Sequence, residues 1–139
     1  MLKTIFLLLI SFGMIQPIFG QKTAPELLKQ AVICSEAGSF DSSIELCNQA
    51  IALNQKYELA YFERAIAYEL KGNITKAIEN YTLAIKYNSK NLHAYLNRGI
   101  LYKKLKKAWA AFRDFRSALS IDTTYTLSFL SGQAIKSLF

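Results

Sequence analysis

From residue 24 onward, apolar and small residues recur at intervals of three and four, the spacing that puts side chains on one face of an α-helix. Tyr61, Ala65 and Tyr68 make one such face, and Ala77, Tyr81 and Ala84 make another. Polar or glycine-containing stretches interrupt the pattern at Gly38-Ser39-Phe40-Asp41 and Lys71-Gly72-Asn73, and Lys106-Lys107 stands where a third glycine is expected. The pattern predicts helices over 25–37, 41–54, 58–71, 74–87, 92–105 and 108–121, with Asp41, Asn91 and Thr124 as N-caps. A last amphipathic segment runs from Leu127 to Phe139, and neither Pro17 nor Pro25 interrupts any later apolar segment.

The pattern also repeats on a longer scale. Ala50-Ile51, Ala84-Ile85 and Ala118-Leu119 are spaced by 34 residues, as are Ser43-Ile44, Ala77-Ile78 and Ala111-Phe112. Cys47, Tyr81 and Phe115 keep the same period, and so do Ala31, Ala65 and Gly99, then Cys34, Tyr68 and Tyr102, then Leu27, Tyr61 and Tyr95. Small residues at fixed columns let helix backbones approach closely while aromatic side chains fill the grooves beside them. The expected fold is all-α: a right-handed α-solenoid of three antiparallel helix pairs, 24–57, 58–91 and 92–125, closed by a C-terminal capping helix over 126–139.

These columns resemble the tetratricopeptide-repeat family over residues 24–125. Its small positions are matched at Ala31, Ser43, Ala50, Ala65, Ala77, Ala84, Gly99, Ala111 and Ala118, and its aromatic positions at Tyr61, Tyr68, Tyr81, Tyr95, Tyr102 and Phe115. The first repeat departs most, with Leu27, Cys34 and Cys47 in aromatic columns. The proline that often ends a repeat is replaced by Gln55, Ser89 and Thr123. The resemblance implies a non-enzymatic module that binds a peptide or protein partner in the concave groove lined by first helices. It places Leu28, Val32, Leu59, Phe62, Glu63, Ile66, His93, Leu96, Asn97, Ile100 and Lys103 along that groove. Leu28, Val32, Phe62 and Ile66 occupy the stretches where the chaperone-tail subclass carries its carboxylate clamp, so that specificity is not implied. Arg98 with Asp114 reads as a structural ion pair of the family rather than an acid–base dyad, with Arg64 and Asn80 as its counterpart.

The opening segment has a different character. One cation at Lys3 precedes an uncharged apolar run to Ile15, then Pro17 and the small Gly20, the layout of a secretory signal peptide with cleavage after residue 20. That reading makes 1–20 a signal and 21–139 the repeat domain, secreted or held in a bacterial periplasm; the Lys/Asn/Ile-rich composition favours a bacterial host. An uncleaved anchor is the competing reading. In a eukaryotic host Asn73 and Asn80 would stand in glycosylation sequons.

Composition narrows the chemistry. The 139 residues are 52% apolar and 19% charged, which excludes a disordered tail. One histidine and two cysteines exclude the usual zinc sites, and no phosphate loop, paired carboxylates or nucleophilic triad is present, so no cofactor, metal or catalytic residue is expected. An oxidising destination raises a disulfide between Cys34 and Cys47, against two buried free thiols. The net charge of +7 is uneven. Residues 24–57 carry two basic and four acidic residues; residues 92–125 carry seven basic and two acidic. Lys103, Lys104, Lys106 and Lys107 form a basic patch at the third turn. Nucleic acid is not the expected partner, since export removes the chain from it. The alternatives to groove binding are an accessory subunit of an envelope enzyme complex and a surface-binding module for anionic lipid or polysaccharide.

Overall fold

The computed structural model describes Gly20 and residues 22–136; the signal sequence and its cleavage site fall outside these apart from Gly20. Among the described residues the chain is helical throughout, as α1 (Ala24–Glu36), α2 (Phe40–Leu53), α3 (Glu58–Leu70), α4 (Ile74–Tyr87), α5 (Leu92–Lys104), α6 (Ala108–Ile121) and α7 (Thr123–Lys136). The first helices of the three pairs begin 34 residues apart, and so do the second helices. No helix among the described residues is long and apolar enough to cross a membrane.

The order follows from how each end is satisfied. Thr23 and Glu26 close a reciprocal capping box at the start of α1, the Thr23 amide donating to Glu26 Oε2 at 2.7 Å. The Glu26 carboxyl is held below its ordinary range by the Thr23 backbone and hydroxyl. Asn73 and Asn91 cap α4 and α5 through their side-chain oxygens. Asp41 and Thr124 are not caps. Helix α2 starts one residue earlier, after Ser39, and α7 starts after Asp122, whose carboxylate accepts the Tyr125 amide at 2.8 Å.

Each within-pair turn closes in the same way. Ser39, Asn73 and Lys107 donate their amides to Cys34, Tyr68 and Tyr102 six-residue loops back, at 2.8, 2.8 and 2.9 Å. The residue before each donor sits at positive φ: Gly38 at 77°, Gly72 at 80° and Lys106 at 57°.

The pairs stack through their small residues. Ala31, Ala50, Ala65, Ala77, Ala84 and Ala118 are completely buried, and Tyr81 fills the space among Ala65, Ala77 and Ala94. Gly99 has no Cβ because the ring of Phe115 occupies its place, with Cε1 only 2.6 Å from where a Cβ would stand. The closing helix differs from the expected 126–139. In the first two junctions Asn54 and Asn88 accept the amides of Lys56 and Lys90, opening a four-residue connection. Asp122, in the same register, caps a helix instead, so α7 follows α6 after a single residue.

Candidate functional site

The face of interest is lined by α1, α3 and α5. Its centre is an aromatic row. Phe62 on α3 packs 5.7 Å from Tyr81 and 6.5 Å from His93 on α5, and His93 meets Tyr125 of α7 edge-on at 5.3 Å. His93 and Tyr125 are open to solvent, while Phe62 is half-buried.

The residues read as groove-lining from the repeat register divide into three groups. Leu59, His93 and Lys103 are exposed, and Leu28, Val32, Phe62, Ile66, Asn97 and Ile100 are half-buried, so these nine present surface. Leu96 is completely buried and Glu63 nearly so. They belong to the interior wall because the adjoining helices cover them, which a helical period alone does not register.

Glu63 instead belongs to a polar strut between repeats. Ser35 donates to Glu63 Oε1 at 2.6 Å, and its oxygen lies 2.9 Å from that of Ser43. The second junction reuses the columns of Ser35 and Glu63 and places Tyr81 between them: Tyr81 donates its hydroxyl to Glu69 at 2.9 Å and accepts from the Asn97 amide at 3.2 Å. Burial, then the Glu69 carboxylate, pushes the Tyr81 phenol upward, so it stays protonated as donor. Residue type offers no signal for Ser35 or Glu69 in this role; the 34-residue offset of Glu63 from Asn97 is the signal available.

On the opposite side, Arg98 makes a bidentate pair with Asp114 and also donates to Thr82 at 2.8 Å. Arg64 repeats this with Asn80 and Asn48, each at 2.7 Å. Burial opposes the Arg98 charge, and the bonds and charge of Asp114 outweigh it, raising the guanidinium above its ordinary value. Both arginines therefore bind groups of their own pair and of the preceding one, a structural use of both side chains.

Cys34 and Cys47 are free thiols, so the bridge considered from the sequence is not formed. The Ser35–Ser43 contact sets those two residues at one height, which leaves Cys47 roughly 4.5 Å, nearly one helical turn, further along α2 than the level of Cys34. Burial, then nearby Glu63, pushes the Cys47 thiol up to about 12, which makes it inert at neutral pH. Among the described residues no group of three His, Cys, Asp or Glu side chains could hold a metal ion. Lys103, Lys104, Lys106 and Lys107 are all exposed, at the turn between α5 and α6.

Comparison with known proteins places these features. One model described as a TPR repeat matches residues 70–106, and another, tetratricopeptide repeat, matches residues 92–125. No curated protein matches the chain by sequence. Among solved structures, the second TPR of Spaghetti (RPAP3), bound to an HSP90 peptide, is similar at 24% identity with a TM-score of 0.69, covering 73% of this chain and 94% of that one. The Arabidopsis OM64 TPR domain is similar at 21% identity and a TM-score of 0.73, covering 84% of this chain and 97% of that one. MamA is similar at 25% identity and a TM-score of 0.70, over 74% of this chain. This chain spans 60% of the MamA chain.

Proposed function

The chain belongs to the tetratricopeptide-repeat family, and from that premise we propose that it is an exported, non-enzymatic interaction module whose concave face takes an apolar peptide or protein segment. The observation that carries this reading is the aromatic row Phe62–His93–Tyr125, which crosses from the second repeat to the closing helix and faces solvent at two of its three members. Leu28, Val32, Leu59 and Ile66 extend the apolar surface beside it. A segment with large apolar side chains at helical or extended spacing would bury that surface. The likeness to a repeat domain bound to a peptide supports a peptide-sized partner. That peptide, SRMEEVD, is acidic, and the present groove offers Leu28, Val32, Phe62 and Ile66 instead of a cationic clamp, so an apolar ligand fits better. Export rests on the composition of residues 1–20.

The test is a peptide array probed with the full chain and with Phe62→Glu/Ile66→Glu, each variant first checked for an unchanged thermal melt. Affinity for apolar peptides falls at least about tenfold in the variant, equivalent to about 1.4 kcal/mol. Equal binding by both proteins overturns the groove reading.

A further inference from the structure

The turn between α5 and α6 departs from its two counterparts at the positions that face solvent. In the 34-residue register, Ala37 and Lys71 are replaced by Leu105, Gly38 and Gly72 by Lys106, and Asp41 and Thr75 by Trp109. Trp109 is the sole tryptophan of the chain, and it is 81% exposed. Its ring stands edge-on to Phe112, with centroids 6.1 Å apart and planes at 90°. Phe112 is itself 54% exposed and Leu105 is 41% exposed. Next to them Lys103 and Lys106 flank a cavity of about 300 Å³ lined by Ala108, Ala111, Phe112 and Phe115. Large apolar groups and ammonium groups thus share one protruding tip.

Two further features point the same way. Lys106 holds a left-handed φ of 57°, a conformation strained for any residue with a Cβ, where both other turns use glycine. The sequence places a cation there against local preference. No acidic residue lies between Glu79 and Asp114, and Asp114 is buried against Arg98. Among the described residues none of Lys103, Lys104, Lys106 and Lys107 pairs with a carboxylate.

We propose that this tip docks on an anionic bilayer surface, with the four lysines at the lipid phosphates and Leu105, Trp109 and Phe112 entering the interfacial layer. Tryptophan and phenylalanine beside lysine is the composition that such a layer favours, because the ring enters the apolar boundary while the long side chains keep their charges at the head groups. The unpaired positive charge selects anionic over neutral lipid. The T-shaped ring pair, the aliphatic Leu105 and the cavity form an apolar volume rather than the parallel ring faces on which bases stack. The tip shares only Lys103 with the groove, so the two readings stand or fall separately.

Trp109, being the sole tryptophan, reports on its own surroundings. Residues 1–20 are largely apolar, so sedimentation with vesicles does not isolate the tip and the informative signal is local emission. The full chain is titrated with phosphatidylglycerol–phosphatidylcholine vesicles and with phosphatidylcholine vesicles. The Trp109 emission shifts to the blue and is quenched by brominated acyl chains on the anionic vesicles only, and added salt weakens the effect. Lys104→Ser/Lys107→Ser raises the lipid concentration for half-maximal shift roughly 30-fold, at about fivefold per lysine. Leu105→Ser, which keeps the reporter, also weakens it, and Phe62→Glu/Ile66→Glu leaves it unchanged. The proposal is overturned by no shift on anionic vesicles, or by an equal shift on phosphatidylcholine. It also fails if an oligonucleotide or an acidic peptide shifts the emission where vesicles do not, or if the shift grows with protein concentration alone, which would assign the tip to a second copy of the chain.

Discussion

Arg98 holds Asp114 through two bonds of 2.8 and 2.7 Å and places its remaining nitrogen 2.8 Å from Thr82, a residue of the preceding helix pair. One side chain thereby fixes both the packing of α5 on α6 and the stacking of the third pair on the second. The pair is well buried, with side-chain exposures of 14% and 6%. Removing one partner leaves the other charged and short of bonds, which is where the cost of breaking a buried pair arises.

Asp114→Ala is therefore expected to destabilise the chain by about 3–5 kcal/mol. Asp114→Asn is expected to cost much less, since Arg64 already bonds Asn80 at the equivalent position through one bond of 2.7 Å. Chemical denaturation of the two variants checks this, and equal losses would show that the charge rather than the bond geometry matters.

Ser35→Ala tests the strut between the first two repeats. Glu63 is nearly buried and receives the Ser35 hydroxyl at 2.6 Å, so losing that donor costs about 1–3 kcal/mol. Hydrogen exchange should then quicken in α1 and α2 more than in α5 and α6, because the lost bond joins the first repeat to the second.

Alkaline pH provides an independent probe of the core. Burial raises Cys47 from 9.0 to about 12, so the unfolded chain loses that proton first as pH rises. The stability tied to this thiol is fully present below pH 9 and is lost progressively between 9 and 12. Tyr81 is shifted in the same direction and adds to the loss above its ordinary value of 10.0. Denaturant midpoints measured across this range should fall, and Cys47→Ala should flatten the slope near its lower end.

Lys106→Gly separates folding from docking. Glycine adopts the left-handed φ of this turn without strain, as Gly38 and Gly72 do, so the variant should gain about 1 kcal/mol and melt about 3–6 °C higher. The same change removes one lysine from the tip and should weaken anionic vesicle binding about fivefold. A melting temperature that falls would show that Lys106 is held by contacts that outweigh its backbone strain.

Much of the fold was legible along the chain. Ala31, Ala65 and Gly99, and the columns that travel with them, determined the number of helix pairs and the face each helix turns inward, because those depend on local spacing and on how closely backbones approach. Helix α7 begins at Thr123, three residues before the expected 126, although Asp122 stands in the register of Asn54 and Asn88. Only the tertiary setting lets its carboxylate cap α7 directly. The site was legible in outline and not in depth. Phe62 and Leu96 occupy equivalent positions 34 residues apart, yet Phe62 is half-buried while Leu96 is completely covered.

The sequence by itself thus determined which side of each helix is small and apolar, since a period of three and four residues is a property of neighbouring positions. Tertiary structure alone decided which of those apolar groups remain open, since cover comes from residues distant along the chain. It put Glu63 and Leu96 inside, brought Tyr125 to His93, and left Trp109 and Phe112 exposed beside four lysines.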